Sequence, residues 1–167
     1  MGQQFLLNFK TKPAYNAVDF FVSSSNETAY KWIQQWPHWP HPVLAIYGQQ
    51  GCGKSHLAHV WQEITHANFY ELETLSHANL EDIFDHNPCM IIDNIDHRGY
   101  EELLFHIYNL AYSNKGYVLL VCEQSPENWN IKLPDLRSRL NAIPKCKIEA
   151  PDELLRLALI QKLFTDQ

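Results

Sequence analysis

Apolar runs of strand length alternate along the chain with stretches in which apolar residues recur at helical spacing. The predicted strands cover 43–47, 68–72, 88–93, 116–122 and 142–149. Predicted helices run from Ser25 or Asn26 to Trp36 and over 54–66, 75–84, 101–114, 133–140 and 152–164. This alternation predicts an α/β fold in which a five-stranded parallel sheet lies between helices.

The stretch 47–55 matches the phosphate-binding pattern G-x-x-x-x-G-K-[ST]. Glycines let the backbone curl so that its N–H groups form a nest for phosphate oxygens. Lys54 can reach the outer phosphates, and the Ser55 hydroxyl can bind Mg²⁺. The following helix offers its N-terminus to the anion. The predicted nucleotide contacts are Gly48, Gly51, Cys52, Gly53, Lys54, Ser55 and His56, so the sequence indicates a P-loop protein that binds a nucleoside di- or triphosphate.

The predicted strand 88–93 ends in Asp93, which has the form of a Walker B acid that holds the Mg²⁺ water shell. P-loop ATPases usually carry a second acid directly afterwards, to polarise the attacking water. Here that residue is Asn94, whose amide cannot accept a proton. The sequence therefore predicts a chain that holds nucleotide better than it hydrolyses it.

Composition excludes several classes of protein. The formal net charge is −6 without a basic cluster, which argues against binding of bare DNA through phosphate contacts alone. No apolar run approaches the length of a membrane span. The four cysteines form no C-x-x-C pair, so we expect reduced thiols in a cytoplasmic protein that contacts no membrane. Three of them, Cys89, Cys122 and Cys146, are expected to pack against the sheet.

The first nine residues are unusually apolar for a chain terminus. Two interpretations stay open. The segment is a strand or arm folded onto the domain, or it is a docking peptide with a polar anchor at Gln4 and apolar anchors at Leu7 and Phe9.

Two further features lie in the second half of the chain. Residues 123–125 follow the fourth predicted strand, where related ATPases place a polar group that senses the γ-phosphate. Arg137 and Arg139 lie two residues apart and cannot share one face of a helix, so we expect them to have different partners.

These pieces together resemble a known family. The stretch 19–26, the P-loop with Ser55-His56-Leu57, the Asp93-Asn94 strand end, and 136–140 followed by Ala150-Pro151-Asp152 resemble the AAA+ domain of the bacterial initiator DnaA. The closer resemblance is to the Hda family of DnaA-related regulators in its alphaproteobacterial form, especially over 33–61. It covers essentially the whole chain.

The resemblance implies a switch at replication origins. Such proteins bind ADP or ATP with Mg²⁺, dock on the DNA-loaded sliding clamp (the β subunit of the polymerase), and trigger hydrolysis of the ATP held by DnaA. By this resemblance Gln4, Leu7 and Phe9 would bind the clamp, and DNA would be contacted only through it. Phe5 and Asn8 depart from the usual leucine and proline of that peptide.

The resemblance also assigns roles within the domain. Arg139 would be an arginine finger that acts in trans on the partner's nucleotide, and the base would lie near Phe20 and Val22. Ser55 and Asp93 would hold the metal ion with the nucleotide. A homodimer is a further assembly that the family allows.

The implied organisation has three parts: a clamp-docking peptide at 1–12, an AAA+ α/β core at 13–150, and the first helix of a helical lid at 151–167. Most of the lid is expected to be absent, either naturally or by truncation. Two alternatives stay open, a small-molecule P-loop kinase and an autonomous AAA+ ATPase similar to a helicase loader. A pure DNA-binding module is the least favoured.

Overall fold

The computed structural model describes residues 20–165. Helices and strands alternate along this part of the chain. They are α1 (Glu27–Gln34), β1 (Val43–Tyr47), α2 (Lys54–Thr65), β2 (Asn68–Tyr70), α3 (Leu72–Ser76), α4 (Leu80–His86), β3 (Cys89–Ile92), α5 (Glu101–Ser113), β4 (Tyr117–Cys122), α6 (Pro134–Ala142), β5 (Lys145–Lys147) and α7 (Glu153–Thr165). A 3₁₀ turn at Pro126–Asn128 precedes α6.

The strands form one five-stranded sheet in the order β2-β3-β4-β1-β5, and every neighbouring pair is parallel. β1 lies between β4 and β5, with Val43 opposite Val118 and Ala45 opposite Lys145. Nearly every residue of β1, β3 and β4 is buried, as expected for a parallel sheet that is covered on both faces. The predicted α/β fold with a five-stranded parallel sheet is confirmed.

Alternate strand residues point to two separate hydrophobic layers. Val43, Ala45, Met90, Ile92, Val118 and Leu120 pack with residues of α3, α4, α5 and α6 on one face. Leu44, Ile46, Ile91, Leu119 and Val121 pack with α1 and α2 on the other. The sheet thus holds α2 and the α5–α6 pair on opposite sides.

The strand predicted over 68–72 ends at Tyr70, and Leu72 begins α3. Two other predicted elements differ more. The helix predicted over 75–84 is divided into α3 and α4, because the Asn79 side chain accepts a hydrogen bond from the backbone N–H of Asp82 and starts a new helix. The strand predicted over 142–149 is shortened to β5, because α6 continues to Ala142 and Pro144 has no N–H for the ladder.

The cysteines are buried as expected. Cys89, Cys122 and Cys146 lie in strands β3, β4 and β5, and Cys52 is also buried. Burial raises the pKa of the Cys89 and Cys146 thiols to about 11 and also raises the pKa of Cys122. These three thiols are therefore protonated packing groups near neutral pH. Within 20–165, no helix is long and apolar enough to cross a membrane.

Candidate nucleotide-binding site

The loop between β1 and α2 is held tightly against the end of the sheet. The N–H of Gly48 donates to the carbonyl oxygen of Cys122, 3.2 Å away, and the N–H of Ile148 donates to that of Tyr47. A Cβ on Gly48 would lie 2.3 Å from the carbonyl oxygen of Ile148 and 2.8 Å from the Cys52 sulfur. Only glycine fits there, because the two main chains approach closer than any side chain allows.

Two further glycines are required by backbone conformation. Gly51 and Gly53 have φ angles of 79° and 101°, in the left-handed region that residues with a Cβ rarely adopt. Gly53 is also the N-cap of α2, and its carbonyl oxygen accepts from the N–H of Leu57. The loop therefore turns sharply and presents the N-terminus of a twelve-residue helix to the cleft beside it.

The Lys54 ammonium group lies over this loop. Its Nζ donates to the carbonyl oxygens of Gly48 and Gln49, at 2.6 and 2.9 Å. These neutral acceptors are weaker partners than a phosphate oxygen, which would form a charge-assisted hydrogen bond. The cation is therefore already at the phosphate-binding loop, with partners that an anion can replace.

Ser55 and Asp93 meet across the same cleft. The Ser55 hydroxyl donates to Oδ2 of Asp93 at 3.3 Å, although the residues are 38 positions apart. Asp93 directly follows β3, and its N–H donates to the carbonyl oxygen of Tyr70, the last residue of β2. A hydroxyl next to a carboxylate is an oxygen donor set that suits Mg²⁺, which protein sites usually bind through one or two side chains together with phosphates. These two residues fit such an ion.

Neither Asn94 nor Asp96, which follow Asp93 in the chain, is a good proton acceptor. Asn94 has a φ angle of 52°, and its N–H donates to Oδ1 of Asp93 at 2.8 Å. Asp96 accepts from Nε of Arg98 at 2.8 Å and from Nη2 of the same guanidinium. Hydrogen bonding to Arg98 lowers the pKa of Asp96 to about 2, so this carboxylate has little tendency to take a proton from water.

A cleft of about 890 Å³ lies at the carboxyl edge of the sheet, and it is lined by Gly51, Gly53, Lys54, Ser55 and residues 93–98 among others. Glu123 and Gln124, directly after β4, line it, whereas Ser125 is buried, and a role of these residues in sensing the γ-phosphate stays a prediction. The His97 ring stacks on Trp129 with ring centres 4.9 Å apart and forms part of the wall. Sequence analysis missed this pair, because no local spacing relates residues from two different loops.

The predicted nucleotide contacts divide into two groups. Gly51, Gly53, Lys54, Ser55 and His56 line the cleft, together with Asp93 and Asn94. Gly48 and Cys52 are buried residues of the loop and are not among those that line the cleft. Phe20 stacks on Tyr30 and contacts the His56 ring edge-on at 5.1 Å, so it borders the site through His56. Val22 is exposed. A base near Phe20 and Val22 stays a prediction.

Arg139 lies elsewhere. It is on α6 and is not among the residues that line this cleft. Its Nη1 donates to the side-chain oxygen of Asn109 on α5 at 2.7 Å. Arg137 instead donates from Nε and Nη2 to the carbonyl oxygen of Ile131. The prediction that the two arginines have different partners is confirmed.

The predicted clamp-binding residues Gln4, Leu7 and Phe9 lie outside the described residues.

The chain is similar in sequence to bacterial replication initiator proteins. No protein-family model matches the chain. The chromosomal replication initiator protein DnaA of Borrelia garinii subsp. bavariensis is 27% identical over 183 residues, an alignment that covers 93% of this chain and 38% of the relative. The chain thus spans about two fifths of that protein's length.

Solved structures agree on the fold. AMPPCP-bound DnaA from Aquifex aeolicus superposes with a TM-score of 0.74 at 19% identity, covering 92% of this chain and 56% of that one. Domain III of the Thermotoga maritima initiator DnaA gives 0.69 at 22% identity, covering 92% and 74%. The fold is therefore that of the DnaA AAA+ domain, and the chain is similar to DnaA in sequence.

Replacement of Gly48 tests the tight start of the loop. We expect Gly48→Ala to lower the free energy of unfolding by about 1–3 kcal/mol, because the added methyl group collides with main chain that cannot swing aside. Urea denaturation followed by circular dichroism measures the change. The double variant with Cys52→Ala should stay destabilised, since the nearest obstacle is the Ile148 carbonyl oxygen. Wild-type stability of Gly48→Ala would contradict the contact.

Proposed function

We propose that this chain is a nucleotide-bound regulator that docks on the DNA-loaded sliding clamp and stimulates ATP hydrolysis by DnaA, thereby restraining replication initiation. The observation that carries the proposal is that the nucleotide-binding groups and the candidate arginine finger lie in different places. The cleft has the loop, cation and acid needed to hold a nucleotide, while the residue after the acid is an amide and the candidate arginine finger lies outside the cleft.

The nucleotide proposed for the cleft is ADP or ATP. Support comes from the loop geometry and from the similar fold of DnaA, which has been solved with AMPPCP. Lys54 and the N-terminus of α2 would bind the phosphates, and Ser55 and Asp93 would hold Mg²⁺. The bound ion would neutralise phosphate charge and orient the outer phosphates.

Slow turnover by the chain itself follows from the residues after β3. Asn94 cannot accept a proton, and Asp96 is engaged by Arg98 with a strongly lowered pKa. A positioned general base typically contributes about 10²–10⁴ in rate. A chain without that contribution would keep its nucleotide for long periods, as a regulator requires.

Arg139 is the residue proposed to act on the partner. A guanidinium supplied from outside a nucleotide site can stabilise the charge of the transition state, with effects of about 10³–10⁵ in rate in GTPase examples. Its place on the α5–α6 side of the sheet supports action on another molecule's nucleotide. The clamp-docking role of Gln4, Leu7 and Phe9 rests on the sequence alone.

Loss of the loop cation should weaken nucleotide binding. We expect Lys54→Ala to raise the Kd for ADP by about 10- to 100-fold, because a hydrogen bond to a charged group is lost. Isothermal titration calorimetry measures this, with Lys31→Ala, at an exposed side chain of α1, as the matched control. No heat of binding for the wild type with either ADP or ATP would remove the proposal, and brisk phosphate release by the wild-type chain alone would contradict its regulatory part.

Clamp docking is tested by capture of purified sliding clamp. The variant Gln4→Ala with Leu7→Ala should recover much less clamp than the wild type, because the polar anchor and one apolar anchor are both removed. Gln3→Ala changes a residue of the same peptide that is not a proposed anchor, so it serves as the control and should retain binding. Equal recovery by all three chains would exclude docking through this segment.

Arg139→Ala should leave nucleotide and clamp binding intact and reduce the stimulated rate of DnaA ATP hydrolysis by at least about 100-fold. The measurement is phosphate release by DnaA in the presence of clamp and DNA. Arg137→Ala is the control from the same helix and should keep most of the stimulation, since Arg137 donates to the carbonyl oxygen of Ile131 in the segment before α6. Retained stimulation by Arg139→Ala would show that the finger assignment is wrong.

A further inference from the structure

The segment 20–26 is folded by its own hydrogen bonds into a compact turn before α1. The Asn26 side chain accepts from the N–H of Ser23 and donates to the carbonyl oxygen of Phe21, both at 2.9 Å. Asn26 itself is buried, whereas the apolar side chains of Phe21 and Val22 are exposed. The turn 20–26 therefore has a fixed shape while it presents apolar surface to solvent.

One end of this turn borders the nucleotide cleft. The Phe20 ring contacts the His56 ring edge-on, with ring centres 5.1 Å apart, and His56 lines the cleft in the first turn of α2. Ligand sites hold their apolar groups through contact with apolar side chains, and Phe21 and Val22 offer such side chains on the same turn. The turn 20–26 is therefore a candidate support for the base of a nucleotide whose phosphates bind at the loop.

The other end of the turn is joined to the start of α7. The Ser24 hydroxyl donates to Oδ2 of Asp152 at 3.0 Å, although the two residues are 128 positions apart. The backbone N–H of Glu149 donates to the carbonyl oxygen of Ser25 at 2.9 Å. One side-chain bond and one main-chain bond thus connect the turn to the segment that follows β5.

Asp152 accepts hydrogen bonds at both of its carboxylate oxygens. Its Oδ1 accepts from the N–H of Leu155 at 2.7 Å, which caps the N-terminus of α7, while Oδ2 accepts from Ser24. The hydrogen bond from Leu155 lowers the pKa of Asp152 most, and the hydroxyls of Ser24 and Ser23 lower it further. The carboxylate is therefore ionised near neutral pH, and this one charged side chain joins the cap of α7 to the turn beside the cleft.

We propose that Ser24 and Asp152 are positioning residues for the nucleoside part of the bound nucleotide, because their hydrogen bond holds the turn 20–26 beside the cleft. This inference rests on the proposed binding of ADP or ATP. Neither residue is among those that line the cleft, so they act through the turn and not through contact with phosphate. A turn that is fixed before the nucleotide arrives loses less conformational entropy on binding, which raises the affinity for a ligand that contacts it. Pyrophosphate has no base and gains nothing from the turn.

The test compares the affinity for ADP with that for inorganic pyrophosphate, both in the presence of Mg²⁺. Calorimetry measures ADP binding, and displacement of a ribose-labelled fluorescent ADP measures pyrophosphate binding. Ser24→Ala removes the donor, whereas Asp152→Ser removes the acceptor for Ser24 and keeps a residue type that caps helices. We expect each of these variants to raise the Kd for ADP by about 3- to 10-fold, the size of one hydrogen bond, and to leave the Kd for pyrophosphate unchanged. Ser24→Thr, which keeps a hydroxyl, and Thr28→Ala, at an exposed position of α1, should resemble the wild type.

The double variant Ser24→Ala with Asp152→Ser should bind ADP no more weakly than either single variant, because both substitutions remove the same hydrogen bond. Wild-type affinity of either single variant for ADP would overturn the positioning role. An equal loss of affinity for pyrophosphate would also overturn it, since the bond would then support the whole domain. Additive losses in the double variant would show that the two residues act separately.

These outcomes are distinct from failure of the proposed function. If the wild type binds neither ADP nor ATP, the proposed function fails and the inference fails with it. If the wild type binds ADP and the single variants bind it equally well, only the positioning role is overturned. Thermal unfolding of each variant identifies loss of folding, and should Asp152→Ser fail to fold, the comparison of Ser24→Ala with Ser24→Thr decides alone.

Discussion

The approach of the Gly48 backbone to that of Ile148 is the contact on which the site depends. It joins the end of β1 to the segment after β5, while the Gly48 N–H joins the same turn to the end of β4. Because β1 lies between these strands, the loop is fixed on both sides. The chain must then curl through Gly51 and Gly53 to begin α2, so the helix N-terminus, Lys54 and Ser55 reach the cleft without any adjustable element between them.

Parallel strand direction explains why the other groups of the cleft meet there. The carboxyl ends of β1, β3 and β4 lie at one edge of the sheet, which is where ligands bind in open α/β folds. Asp93 and Glu123 each follow a strand directly, and both reach the cleft. The same edge receives Asp96, but Arg98 beside it forms two hydrogen bonds to the carboxylate and lowers its pKa. The cleft thus contains acids in places that suit cation binding better than proton transfer.

The sheet also separates the phosphate-binding loop and α2 from Arg139. α2, which carries the phosphate-binding residues, packs on one face, and α5 with α6 packs on the other. Arg139 is held on the second face by Phe105, Tyr108 and Asn109. In the proposed function this division is useful, since the chain can hold its own nucleotide on one side and present a cation to another molecule's nucleotide from the other.

Much of this architecture is encoded locally. The apolar runs predicted five strands, the pattern at 48–55 predicted a phosphate-binding turn, and Asp93 and Asn94 were recognisable because a strand end is a local feature. Helix boundaries were less predictable where a side-chain cap decides them, as Asn79 does between α3 and α4. Among contacts between distant segments, only the meeting of Ser55 and Asp93 was expected, because each belongs to a recognisable motif of the same site. The His97–Trp129 stack and the packing of Arg139 against Phe105 and Tyr108 join residues brought together only by the tertiary fold, because their spacing in the sequence has no relation to their distance in space.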